Sequence, residues 1–269
     1  MDRPPPTPRV MLPRGPNLRP RPSLPSTRKY AVDPALPQRR RPVTAALADT
    51  GLLYTLAHRP KYLEMFLDLY GETVAVATAV AEEIRAVANV PRPGRPHQNL
   101  VLMGACADLL VTKLDDKTIA VREPSENSGL LFTVQQQLRE LDRAAATRRG
   151  ERWSPIDVNR AKRHSGETES ILVAADVIKA GGTAILLTND GGASLAAWKQ
   201  GVSARNLRNI LAELACENSH LAKEDLLTAF TEMTAHFGTL PTEVRPADSS
   251  AFRCRALAGE CQICDASMR

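Results

Sequence analysis

The chain has 269 residues, 43% of them hydrophobic and 24% charged, with a net charge of +5. That is enough apolar material for one sizeable core with appendages. It holds no apolar run near the roughly 20 residues of a membrane span and no secretory apolar segment, so it reads as soluble and cytoplasmic, with no membrane partner.

Residues 1–42 carry ten Lys/Arg and two Asp, a charge of +8, which leaves −3 for the remainder. Twelve of the 20 prolines lie there too. Proline removes backbone donors and blocks helices, and few large apolar side chains are present to offset ordering entropy. This leader is expected to be a disordered basic arm. It is either a solvated tail or a weak, salt-sensitive attractor of phosphate.

From residue 43 the pattern changes. VTAALA at 43–48 is a short apolar strand that ends at Asp49. Leu52, Leu56, Leu63, Phe66 and Leu67 have helical spacing and predict one helix from Leu52 to Leu69, stopped by Gly71. TVAVA at 73–77 predicts a second strand, and Thr78 is placed to cap a helix through about Val87. Pro91 to Pro96 is a loop. The stretch from Leu100 to Val121 is mixed, helix or strand around Leu109–Leu114 and then a strand at TIAV. Residues 128–147 read as helix, and 148–165 as a polar, basic segment broken by Pro155. Gly166 opens the helix ETESILVAADVIKA, which Gly181-Gly182 ends. TAILLT at 183–188 is the clearest strand, and Asp190-Gly-Gly reads as a turn before a helix at 193–200. Residues 207–236 are helical, with apolar positions at Leu211, Leu214, Leu221, Leu226, Leu227 and Phe230. They form an extension that packs on the core or makes a dimer surface, so a homo-oligomer is one expectation.

Strands separated by helices predict an α/β fold, a parallel sheet with helices on both faces. The expected division is a leader at 1–42, a catalytic α/β domain at 43–206 and a helical extension with a cysteine-bearing tail at 207–269. In such sheets ligands bind beyond the carboxyl ends of the strands. Asp49 and Asp190 both follow strands and so emerge at one sheet edge. Glu83 flanks the stripe Val80, Ile84, Val87. Glu167 leads into Ile171, Ala174 and Ile178, in a first helical turn that favours negative charge. Carboxylates are costly to bury unless paired or bound to a cation. Four hard oxygen donors in an α/β protein suggest Mg²⁺ or Mn²⁺ and phosphodiester chemistry. Each acid also has a plainer reading: Asp49 as a helix N-cap, Asp190 as a turn residue, Glu167 as a solvated charge. Glu82 and Glu169 are the neighbouring alternatives to Glu83 and Glu167.

The runs ALADTGLLYTL, VATAVAEEIRAV, SGETESILVAADV and AILLTNDGGASLAAWKQGV resemble the PIN-domain nuclease family over about residues 43–205. That resemblance implies a three-layer α/β/α sandwich around a parallel sheet. It implies a metal-dependent ribonuclease with Asp49, Glu83, Glu167 and Asp190 as catalytic and metal-binding residues. Because the family includes the toxins of bacterial toxin–antitoxin pairs, it also implies RNA as substrate and an antitoxin protein as a possible partner. Two departures stand out. The distance from Glu83 to Glu167 calls for an insertion somewhere in 91–160, and the acid many members carry just after the T-x-D turn is replaced by Gly191, Gly192 and Ala193. A catalytically inactive PIN-like scaffold that binds RNA or protein is therefore the alternative. A haloacid-dehalogenase-type phosphatase needs an Asp where Gly51 stands, and a Rossmann nucleotide site needs a G-x-G-x-x-G that is missing.

Other residues carry weaker signals. The basic run Arg139, Arg143, Arg148, Arg149, Arg152, Arg160, Lys162, Arg163, His164 leads into Glu167, so Lys162, Arg163 and His164 are candidates for contact with a nucleic-acid backbone. Thr188 and Asn189 could position a phosphate or simply satisfy backbone groups. Cys261-Gln-Ile-Cys264 with Cys254 is a partial zinc set, for which Cys216, His220 or His236 would supply a fourth ligand. Five cysteines is an odd count and argues against a complete disulfide framework. At 4% aromatic residues, base-stacking platforms are not the main binding device.

Overall fold

The computed structural model describes residues 43–90, 98–151, 164–218, 220–237 and 240–252. The expected basic leader, the nucleic-acid candidates Lys162 and Arg163, and the zinc candidates Cys254, Cys261 and Cys264 lie outside the described residues.

Five strands form one all-parallel sheet: β1 (Ala45–Ala48), β2 (Val74–Ala77), β3 (Ala120–Arg122), β4 (Ala184–Leu187) and β5 (Ser203–Arg205), in the order β3-β2-β1-β4-β5. Among the described residues nine helices surround it: α1 (Thr50–Ala57), α2 (Pro60–Tyr70), α3 (Thr78–Ala88), α4 (Gln98–Asp115), α5 (Ser128–Arg148), α6 (Ser165–Lys179), α7 (Gly191–Lys199), α8 (Leu207–Glu217) and α9 (Lys223–His236). The α/β class with a parallel sheet is thus observed. No helix among the described residues is long and apolar enough to cross a membrane.

The sheet is built from continuous apolar runs because both of its faces are covered. Alternate residues go to opposite layers. Ala46, Ala48, Val76, Ile185 and Leu187 meet α1, α2, α3, α4, α8 and α9. Ala45, Leu47, Ala75, Ala184 and Leu186 meet α5, α6 and α7. Alanine is a poor strand former by propensity. Burial overrides that in β1, whose four residues are all fully buried at the sheet centre.

Several elements differ from expectation. The single helix 52–69 is two helices, broken at Arg59. Proline disfavours helical backbone in the residue before it and occupies first turns well, so Pro60 ends α1 and opens α2. Thr78 is the first helical residue of α3, not its cap. The cap comes from far away: the Ala79 N–H donates to Glu169 Oε2 at 2.8 Å. Strand β5 was not anticipated, since Ser203, Ala204 and Arg205 form no apolar run. Asp190-Gly-Gly is not a free turn. Its glycines are the first residues of α7 and Asp190 is the N-cap. The stretch 207–236 is two helices, the first opened by a reciprocal capping box between Asn206 and Asn209. Both bury their apolar stripes in the same cluster as β1: Ile210, Leu211 and Leu214 from α8, and Leu226, Phe230 and Met233 from α9. The long stretch between Glu83 and Glu167 holds α4, β3 and α5, which contribute to both layers and to the sheet.

Helix α6 ends as its glycines suggested. Gly181 has φ +86°, its N–H donates to the Ile178 carbonyl, and the Gly182 N–H donates to the Val177 carbonyl. This is the paired bonding of a left-handed C-terminal cap, which only glycine adopts without strain.

Candidate active site

The order β3-β2-β1-β4-β5 reverses direction between β1 and β4. The chain builds outward through β2 and β3, then returns to the other side of β1. The helices that follow these two central strands therefore leave on opposite faces, α1 to one layer and α7 to the other. A crevice opens between them at the carboxyl edge, the place where such sheets bind ligands. Here it is an open cleft of about 420 Å³ lined by Asp49, Thr50, Gly51, Val80, Glu83, His164, Gly166, Glu167, Asn189 and Asp190.

All four acids singled out in the sequence line this one cleft, each from a different element. Register places the first pair: Ala48 stands beside Leu187, so Asp49 and Thr188 are adjacent at the strand ends. Asp49 is also the N-cap of α1, its Oδ1 accepting the Leu52 N–H at 2.6 Å. Its Oδ2 accepts the Thr188 hydroxyl. The same hydroxyl oxygen accepts the Asp190 N–H at 3.0 Å, and Asp190 Oδ1 accepts the Ala193 N–H at 2.7 Å. Thr188 thus fixes both aspartates rather than facing a ligand alone. Asn189 turns inward. Its Oδ1 accepts the Leu207 N–H at 3.0 Å, tying β4 to α8.

The two glutamates come from α3 and α6. Glu83 faces the cleft while Glu82 is exposed, as helical phase requires. The Thr50 hydroxyl donates to Glu83 Oε2. Glu167 lines the cleft from the first turn of α6, whereas Glu169 turns to cap α3. Gly166 lets the two helices meet: a Cβ there would stand 3.0 Å from Val80 Cγ2 and 3.3 Å from Glu83 Oε1. Glu169→Ala is expected to cost about 1 kcal/mol of stability, as loss of an N-terminal cap does. Glu82→Ala is expected to change stability by less than about 0.5 kcal/mol. Urea denaturation of both variants checks this division of labour.

Among the described residues, carboxylates outnumber the positive groups that line the cleft. Burial pushes the Asp49 carboxyl up from 3.8 to about 7, against the hydrogen bonds from Thr188 and Leu52, with the charges of Glu167 and Asp190 adding to the rise. Glu83 is also raised, first by burial and further by Glu167 and Glu169, against its bond from Thr50. Glu167 goes the other way: burial raises it, but His164 and Glu167's own backbone N–H hold it below the ordinary range.

His164 stands at the rim of this group. Its Nε2 lies 2.7 Å from Asp142 Oδ2 on α5, and its Nδ1 lies 3.7 Å from Glu167 Oε1. Glu167, and then Asp142, hold the imidazole above its usual pKa against burial. At 3.7 Å the contact with Glu167 is an ion pair rather than a good hydrogen bond. Neither Asp142 nor Thr50 was among the sequence candidates. Asp142 does follow Val134, Leu138 and Leu141 on the buried side of α5, a phase that places it near the sheet.

The donor chemistry fits a divalent cation. These are hard carboxylate oxygens gathered in one cleft, with two carboxyls raised by burial and mutual repulsion. A cation would relieve that repulsion. Among the described residues no three His, Cys, Asp or Glu side chains already stand at ligating distance of one point. Elsewhere, Arg139, Arg143 and Arg148 lie on α5, and Arg149 pairs with Glu151 at 2.7 Å. His236 packs against His58, ring centroids 4.9 Å apart, and Cys106 is a buried free thiol. No protein-family model matches this chain, and neither does any curated protein or solved structure.

Proposed function

We propose that this chain is a metal-dependent nuclease of PIN-like type that hydrolyses RNA phosphodiester bonds. One observation carries the reading: Asp49, Glu83, Glu167 and Asp190, from four elements, line one open cleft where the strand order reverses. Carboxylates gathered at that place are the chemistry that holds Mg²⁺ or Mn²⁺.

When bound, such an ion lowers the pKa of its water and neutralises charge on a scissile phosphate. Asp49 and Asp190 would hold it most directly, because register and Thr188 fix them side by side. Glu83 and Glu167 face them across the cleft and would complete the donor set or orient the attacking water. RNA as substrate, and an antitoxin as partner, follow from the family resemblance. The alternative is a binding scaffold without catalysis. It is favoured by the glycines after Asp190, which leave no fifth acid there.

The test is cleavage of a mixed RNA pool with Mg²⁺ or Mn²⁺, beside EDTA and the variant Asp190→Asn. Cutting that needs metal and is lost in the folded variant supports the nuclease. A folded protein that neither cuts RNA nor binds either ion in calorimetry overturns it.

A further inference from the structure

We infer that His164 is a metal ligand of the acidic cleft, acting with Glu167, and that it tilts the site toward first-row transition ions over Mg²⁺. This rests on reading the cleft as a divalent-metal site. It goes beyond that reading by adding a nitrogen donor to an all-carboxylate set.

Three observations carry it. The first is the partner behind the ring. His164 lines the cleft with the four acids, yet its Nε2 is taken by Asp142 at 2.7 Å, from a helix in the opposite layer to α3. Metal-ligating histidines almost always give their other ring N–H to a carboxylate, a backbone carbonyl or a water, which fixes the tautomer and aims the free nitrogen. Asp142 stands in that place, and Nδ1 is left on the Glu167 side.

The second is the spacing. Nδ1 and Glu167 Oε1 are 3.7 Å apart, too long for a good hydrogen bond. One ion bonded to both at roughly 2.1 Å would hold them about 3.0–3.4 Å apart, a small closure of that gap.

The third is the backbone. His164 has φ 62° and ψ 18°, left-handed geometry that is uncommon outside glycine. Such conformations persist where the surroundings over-determine them, and they gather at ligand sites. Two residues on, Gly166 has no space for a Cβ against Val80 and Glu83. The first turn of α6 is therefore pressed onto α3, and Glu83, His164 and Glu167 form one wall. The selectivity follows from ligand type. Mg²⁺ takes oxygen ligands, whereas imidazole suits Zn²⁺, Cu²⁺, Fe²⁺ and Ni²⁺ best and Mn²⁺ least among these first-row ions, which makes Mn²⁺ the more stringent probe of a nitrogen ligand.

Full-length protein is titrated with Mn²⁺ and separately with Mg²⁺ by calorimetry, and the Mn²⁺ complex is read by pulsed electron paramagnetic resonance for coupling to nitrogen. Wild type is expected to show nitrogen coupling. His164→Gln is expected to lose it and to bind Mn²⁺ about 10- to 100-fold more weakly, with Mg²⁺ affinity changed by less than about threefold. Asp142→Asn is expected to keep the coupling and to lose about tenfold in Mn²⁺ affinity. Asp49→Asn with Glu167→Gln is expected to abolish the signal, which ties it to this cleft. Circular dichroism confirms that each variant is folded. Mn²⁺ bound by oxygen alone in the wild type, or with equal affinity in His164→Gln, overturns the inference and leaves the acidic site standing. His164 is then an imidazolium that bridges Asp142 and Glu167. No binding of either ion by the folded wild type removes the proposed function as well.

Discussion

Asp49→Asn is expected to stabilise the metal-free protein at pH 8 while abolishing the metal-dependent cleavage proposed above. The two effects have one cause. Asp49 is buried at the end of the central strand, and burial holds its carboxyl at about 7 instead of 3.8. A raised carboxyl binds its proton more tightly folded than unfolded, so folding stability falls as pH rises between those two values. Below about pH 4 both states are protonated and the side chain contributes nothing to the pH dependence. Above about pH 7 the full penalty applies. At 1.36 kcal/mol per pKa unit it amounts to roughly 4 kcal/mol as an upper figure. Asparagine keeps one oxygen for the Leu52 N–H and removes the charge. The stability difference between variant and wild type should therefore be near zero at pH 4 and grow in the variant's favour up to pH 8. Urea denaturation across that range, in EDTA, measures it. A variant no more stable than wild type at pH 8 would mean that the Asp49 charge is already compensated. With metal present the order reverses, because the ion binds only the folded wild type and stabilises it by mass action. Cleavage should fall at least about 10³-fold, the loss of several kcal/mol of transition-state stabilisation.

The second large effect lies away from the cleft. Arg205 and Glu213 form a buried ion pair at 2.6 Å, and the Tyr70 hydroxyl donates to the other Glu213 oxygen. The pair fastens β5 to α8 and α2, and Thr188 leans on it through its N–H to the Arg205 carbonyl at 2.8 Å. Glu213→Ala is expected to cost about 3–5 kcal/mol, because it breaks a buried ion pair. Replacing both residues, Arg205→Met with Glu213→Leu, should recover most of that loss, since apolar packing of similar volume substitutes well for a buried pair. Thermal unfolding of the single and double variants decides this. Equal losses in both would show that the pair does more than neutralise itself. Because β5 neighbours β4, the single variant should also weaken metal binding at Asp190, whereas the Glu169 cap variant should leave it nearly unchanged.

What was legible in the chain was whatever is local. VTAALA, TVAVA and TAILLT read as strands because a parallel strand covered on both faces must be apolar at every position. Asp49 and Asp190 could be assigned to one edge because the first directly follows such a run and the second comes two residues after one. Helical phase alone separated Glu83 from Glu82. The break at Pro60 was equally local, and the apolar spacing on either side of it obscured it. Contacts across the fold decided the rest. Glu167 and Glu169 both sit in the first turns of α6, and only the packing of α6 on α3 sends one to the cleft and the other to the Ala79 N–H. Strand β5 carries no apolar run, and pairing with β4 makes it a strand. Asp142 is one of two acids on α5, with nothing local to single it out, until the chain returns 22 residues later to set His164 against it. Periodicity reports which way a residue faces along its own element, while the partner of a buried polar group depends on which elements the sheet order brings together. The four acids of the cleft and the capping role of Asp49 were thus legible in the sequence, whereas Thr50, Asp142 and the hydrogen bonds that join separate elements were set by the tertiary structure.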